Sequence, residues 1–208
     1  MHLLIRKLLH PLRKESRMAS QPQLEMRRPH LDHIPTIPLP DGYTIRPYLR
    51  GDEAAWAAIM NECIGSNWTA ERCRQSLTSK PQFEPEGLFF AACGEQPVGT
   101  ACAWRNAVEE RQIGYVHMVG VLRAHRGKRL GWAVTVEVLN HLKRRGFSEA
   151  HLLTDDWRLS AIRSYLGVGF EPLLTHESHP ERWKKVYEQL GGDPSPHPPP
   201  PQGEGEQP

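Results

Sequence analysis

The chain predicts one α/β (α+β) domain in which helices flank a mixed sheet. Three observations carry this. At 208 residues it is long enough for one substantial core. Between positions 41 and 190 the apolar spacing switches repeatedly between the strand period of about 2 and the helix period of about 3.6 residues. The second half alternates strand, helix, strand, helix, strand, which implies parallel neighbours in the sheet through right-handed crossovers.

The elements follow in order. "YTIRPY" (Tyr43 to Tyr48) alternates like a strand. "GDEAAWAAIMNEC" then offers Asp52 as an N-cap and sets Ala55, Trp56, Ile59, Met60 and Cys63 at helical spacing. Thr69 can cap a second helix running to about Thr78. "GLFFAACGEQPVGTACAW" reads as two strands joined at Gly94 to Pro97, and "QIGYVHMVGV" as a fourth, dense in β-branched and aromatic residues. A helix from about Leu130 to Arg145 turns Leu130, Ala133, Val134, Leu139 and Leu142 to the core and stops at Gly146. "EAHLLTDD" is a fifth strand, "RLSAIRSYLGVG" a short helix, "FEPLL" a sixth strand and "PERWKKVYEQL" a closing helix.

Outside residues 41–190 the composition changes. Residues 1–40 form a basic, then proline-rich extension with prolines at 22, 29, 35, 38 and 40, and residues 191–208 a Pro/Gly-rich tail; both are expected to be disordered. The opening "MHLLIRKLLHPLRKESR" has an amphipathic, basic character but lacks the uninterrupted apolar stretch of a secretory signal. No run reaches the roughly 20 apolar residues of a spanning helix, so stable membrane insertion is not expected. The net charge of +2 leaves residues 31–190 neutral once the basic start and acidic end are set aside, which argues against a nucleic-acid-binding face. Cys63, Cys73, Cys93 and Cys102 form no CxxC pair and suit a reducing, cytoplasmic setting. Neither they nor the His176/His179 spacing makes a metal site.

The chemistry concentrates in "VGVLRAHRGKRLGWAV", a strand running into a helix. A helix start leaves about four backbone N–H groups unpaired and carries partial positive charge. Gly127 and Gly131 let a ligand approach the backbone, and Arg126, Lys128 and Arg129 add cations, so the junction suits a pyrophosphate. It fits neither GxxxxGK[ST] nor GxGxxG.

The stretch resembles the acyl-CoA signature [QR]xxGx[GA] of the GNAT superfamily of N-acetyltransferases, with Val121 as the strand-end valine, Arg126 opening and Gly131 closing the motif. Arg129 replaces the middle glycine, which a helix-terminal residue at negative φ would not require. "RLSAIRSYLGVGF" is similar to the family's Nxx(A)xxxYxxxGF, with Ala161, Tyr165, Gly169 and Phe170 in register and Arg158 at the usual asparagine. The block around it is also similar to bacterial members related to mycothiol synthase.

Over residues 41–190 the resemblance implies a mostly antiparallel mixed sheet of about six or seven strands with the fourth and fifth splayed. It implies acetyl-CoA as co-substrate and no metal. Val119, Gly120 and Val121 would pair with the pantetheine arm, the Val119 N–H would polarise the thioester, and the segment Arg126, Gly127, Lys128, Arg129, Leu130, Gly131 and Trp132 would hold the pyrophosphate. Tyr165 would be the acid for the departing thiolate. The acceptor would be a small-molecule or peptide amine, and the protein a monomer or homodimer.

For the general base, His117 is the economical candidate, since its ordinary pKa is about 6.5 and simple alternation puts it on one face with Tyr115 and Val119. Glu109, Glu110 and Asp155 stay open as alternatives, and Cys102 as a nucleophile has no evident partner base. Trp56, Trp68 and "NWTAERC" would shape the acceptor groove. The alternative function is a non-catalytic acyl-CoA-binding regulatory domain.

Overall fold

The computed structural model describes residues 21–192; the basic start (1–20) and the end of the tail (193–208) lie outside the described residues. Seven strands form one sheet. They are β1 (Leu24–Arg28), β2 (Tyr43–Pro47), β3 (Leu88–Cys93), β4 (Gln96–Trp104), β5 (Ile113–Val121), β6 (Glu149–Thr154) and β7 (Glu171–Leu173), in the order β2-β3-β4-β5-β6-β1-β7. Every neighbouring pair is antiparallel except β5 with β6. The helices are α1 (Glu53–Cys63), α2 (Ala70–Cys73), α3 (Leu130–Arg144), α4 (Leu159–Gly167) and α5 (His179–Leu190). Among the described residues no helix is long and apolar enough to cross a membrane.

Strand alternation sends side chains to two cores. Leu88, Phe90 and Cys102 meet Trp56, Ile59 and Met60 of α1 on one face. Phe89, Ala91, Val116, Leu24, Met26 and Leu152 join α3, α4 and α5 on the other.

The main departure from the sequence reading is β1. The expected disordered extension contains a strand, Leu24–Arg28, lying between β6 and β7 and pairing with both. Leu24 and Met26 are fully buried, while Arg28 donates Nε–H to Val168 O at 2.8 Å and further N–H groups to the carbonyls of His30, Asp32 and His33. Five residues with two arginines and a glutamate, framed by prolines, give no strand signal of their own; the partner strands supply it. As a result β6 and β7 are separated by β1, and the expected parallel pairing in the second half holds for β5 and β6 alone.

Two smaller corrections are local. The second helix is α-helical only over α2 and continues as a π-helical turn, Arg74–Thr78. Asp52 occupies the N-cap of α1 without capping it: its carboxylate binds Arg46 and accepts the Leu49 N–H at 2.7 Å.

Candidate functional site

β5 and β6 pair only from Ile113↔Glu149 to Tyr115↔His151, then part. The cause lies in β5. Its register against β4 slips between Thr100↔Gly120 and Cys102↔His117, and Met118 sits there at φ +54°. This is a β-bulge with a left-handed non-glycine residue, a strained arrangement that bends its strand. Beyond it Gly120 lets α1 press close, since a Cβ there would stand 3.0 Å from Cys63 Cβ and 3.1 Å from both Ile59 Cγ2 and Met60 Cε. The freed edge of β5 thus faces a gap.

That gap opens into a cavity of ≈540 Å³. Val119, Gly120 and Val121 form one wall, Arg126, Gly127, Arg129, Leu130, Gly131 and Trp132 another, and Arg158 at the N-cap of α4 with Ala161 and Tyr165 of that helix a third. The first two walls are the segments expected from the sequence. Lys128 is the exception: its Nζ stands 5.9 Å from the centre of the Tyr43 ring. The third wall was half legible, because Arg158, Ala161 and Tyr165 repeat at helical spacing within a segment already singled out.

At the start of α3, Ala133 N–H makes the first backward bond, to Arg129 O at 3.0 Å, so the amides of the first turn ahead of it stay unpaired. Gly127 at φ +77° and Arg129 at φ +58° shape the loop. Negative φ was expected at Arg129, and the structure corrects this: the middle position of the motif is left-handed, which is why glycine suits it and why arginine is strained there. Replacing Arg129 with Gly is therefore expected to raise stability by about 1 kcal/mol, read as an increased urea midpoint. An unchanged or lower midpoint would remove the strain argument.

Arg126 does not reach toward the α3 amides. It folds back, with Nε donating to Val121 O at 3.0 Å and Nη2 lying 3.7 Å from Cys63 Sγ. Arg158 spans the gap, donating Nε–H to Asp155 at 2.8 Å and Nη1–H to the carbonyl of Cys63, at the end of α1, at 3.1 Å. The contacts with Cys63 were not visible in the sequence, because it lies 63 positions from Arg126 and 95 from Arg158.

Tyr165 is 7 % exposed, and its hydroxyl has no hydrogen-bond partner among the described residues. Burial pushes its pKa up to about 12, with the charge of Arg158 opposing. His117 does not line the cavity. The bulge breaks the alternation, so Val119 faces the α3-side core while His117, opposite Cys102 and 5.8 Å from the Trp104 ring, projects from the α1-side face. The expected shared face with Val119 is thus corrected. Neighbouring protein groups desolvate the imidazole and lower its pKa, although the side chain keeps accessible surface.

Of the other candidates, Glu110 is occupied as an acceptor for the amides of Arg111, Gln112 and Ile113. Asp155 holds Arg158 and Gln23. Cys102 is fully buried, and burial raises its thiol pKa, which leaves no thiolate for attack. Trp56 is likewise core, with Trp68 packed edge-on against it at 5.1 Å.

Known proteins resemble this chain in sequence and in fold. The model of the acetyltransferase (GNAT) family matches residues 54–170. The chain belongs to the GNAT family. A mycothiol acetyltransferase of Thermomonospora curvata is 36% identical over 154 residues, covering 71% of this chain and 50% of that protein. One of Streptomyces scabiei is 35% identical over 160 residues, covering 74% and 50%. The chain spans about half the length of these relatives. The crystal structure of a GCN5-related N-acetyltransferase from Sphaerobacter thermophilus superposes with a TM-score of 0.51 at 24% identity, over 80% of this chain and 48% of that one, and shares the fold. The mixed, mostly antiparallel seven-stranded sheet with one splayed parallel pair is the GNAT fold.

Proposed function

We propose that the protein is a cytoplasmic N-acetyltransferase that moves the acetyl group of acetyl-CoA to a primary amine by direct attack in a ternary complex. One observation carries this reading: the unpaired edge of β5, the free amides of α3 and the partnerless Tyr165 hydroxyl all border a single cavity. Those groups match, in order, an amide-bearing arm, a pyrophosphate and a sulfur, so the residues present fit acyl-CoA. The bound thioester supplies an activated acetyl group.

The chain's own residues then have separate tasks. The amides of Leu130, Gly131 and Trp132 and the dipole of α3 hold the diphosphate, with Gly127 and Arg129 shaping the approach and Arg126 and Lys128 adding positive charge near it. Gly120 and Val121 align the arm along β5, and the Val119 N–H stabilises negative charge on the carbonyl oxygen. His117, kept neutral by its lowered pKa, accepts the proton of the amine from the α1-side face. Tyr165 delivers a proton to the sulfur from the other side. A small-molecule amine, or the amine of a peptide, is the acceptor, and the protein acts as a monomer or homodimer.

Calorimetric titration with acetyl-CoA, followed by thiol release against primary amines across pH, tests the reading. Expected are micromolar binding, amine-dependent release, and a kcat whose acid limb lies below the ordinary imidazole value of 6.5 and vanishes in His117→Gln. The sign follows from the base role: a lowered pKa keeps His117 deprotonated to lower pH. Binding without release would mark a non-catalytic acyl-CoA-binding domain, and absence of binding would overturn the assignment.

A further inference from the structure

Beyond the first amides of α3 the cavity continues along α4, where Trp132, Ser160, Arg163 and Ser164 line it. Ser160, Arg163, Ser164 and Gly167 recur at helical spacing and so share one side of α4. At the last of them Trp132 lies across the helix. A Cβ on Gly167 would stand 2.3 Å from Trp132 Cη2, 2.8 Å from Cζ3 and 2.9 Å from Cζ2, so no side chain fits beneath that ring. The φ of Gly167 is not positive, and the backbone there does not require glycine. What glycine provides is contact: the benzo edge of the indole rests directly on α4, while Trp132 stays half-buried and borders the cavity.

We propose that Trp132, braced by Gly167, seats the purine ring of the CoA nucleotide and that Arg163 pairs with its 3′-phosphate, so that this end of the cavity selects the complete coenzyme over its phosphopantetheine part. This assignment rests on the transferase reading above and adds the groups that choose the acyl carrier.

Position follows from the unpaired amides. Trp132 N–H is one of those ahead of Ala133, so its indole stands one side chain away from a diphosphate held there. The diphosphate of CoA has two exits: the pantetheine arm takes the one toward β5, and the nucleoside takes the other, along α4. The surface it meets suits a flat base. An indole already fixed by packing loses little freedom on binding and offers an aromatic face for stacking, while the small side chains of Ser160, Ala161 and Ser164 leave room beside it. Charge agrees with this. Among the described residues no Asp or Glu lines the cavity. Arg126 is drawn to Val121 O and Cys63 Sγ, Arg158 to Asp155 and the Cys63 carbonyl, and Arg129 belongs to the diphosphate loop. Arg163 makes a single bond, Nη2–H to Leu190 O at 3.3 Å, and keeps further N–H donors for a phosphate.

Calorimetric titration of the full chain with CoA, 3′-dephospho-CoA and 4′-phosphopantetheine separates the contributions. In Gly167→Ala the added methyl displaces the indole while the backbone stays helical. This variant is expected to weaken CoA and dephospho-CoA about tenfold, equal to about 1.4 kcal/mol, and to leave 4′-phosphopantetheine within about twofold. Arg163→Gln is expected to weaken CoA about fivefold and to leave the other two ligands unchanged. The retained 4′-phosphopantetheine affinity shows at the same time that each variant keeps its fold. Equal losses on all three ligands, or no loss on CoA, would overturn the subsite. A loss in Arg163→Gln that is the same for CoA and dephospho-CoA would overturn the 3′-phosphate contact. A wild type that binds CoA no more tightly than 4′-phosphopantetheine would overturn the nucleotide subsite and leave the transferase reading intact, whereas a wild type that binds no CoA would overturn both.

Discussion

Tyr165→Phe is expected to lower kcat about 100-fold while leaving acetyl-CoA affinity within about twofold, since positioned acids contribute roughly 10²–10⁴. The substitution removes one oxygen and keeps the ring that packs at 6.1 Å from Phe170 in the α3-side core. Burial makes the phenol a poor acid, up to about 12, and by itself would make transfer to a thiolate uphill. Two effects offset this. Arg158, on the same cavity wall, would stabilise a phenolate at Tyr165, and a thiolate taken out of water beside it would itself become more basic. Single-turnover thiol release with parallel calorimetry separates the effects. A comparable loss of affinity would make Tyr165 a packing residue, and unchanged kcat would remove the acid role.

Arg28→Ala is expected to destabilise the domain by about 3 kcal/mol or more, lowering Tm by about 10 °C. Arg28 is 5% exposed, and its guanidinium serves four backbone carbonyls, one of them Val168 O just before the turn into β7. Gly169, at φ +87°, lies against that guanidinium: a Cβ there would be 3.1 Å from Arg28 Nε. Truncation strands the buried Val168 carbonyl at a cost of about 1–3 kcal/mol, removes three charge-assisted bonds to partly buried carbonyls, and loosens both β1 and the turn that follows α4. Arg27→Ala is the control. Its side chain is 43% exposed and makes one ion pair with Glu171 at 3.0 Å, so under about 1 kcal/mol is expected. If the two variants lose equal stability in urea unfolding, Arg28 does not secure the strand.

The junction of β5 with α3 and the Tyr165 segment were both legible in the sequence for the same reason. Their chemistry is local: a strand end, a glycine and the first amides of a helix are consecutive, and Ala161 and Tyr165 repeat along one helix. Most strands and helices were legible because each shows its burial in its own periodicity. His117 shows where such reasoning stops. Alternation assumes an unbroken pleat, and one left-handed residue, Met118, moves His117 and Val119 to opposite faces.

What the sequence by itself determined is therefore the order of the elements from β2 onward, the glycine- and cation-bearing start of α3 and the placement of Tyr165 on α4, all set by neighbours in the chain. Only the tertiary structure decided that Leu24–Arg28 is a strand, that Arg158 ties α4 to the end of α1, and that Glu25 meets His151 across 126 positions. Each of these depends on hydrogen-bond partners supplied by distant segments. A short polar stretch shows no preference until its partner strands offer their edges and exclude water from its alternate side chains.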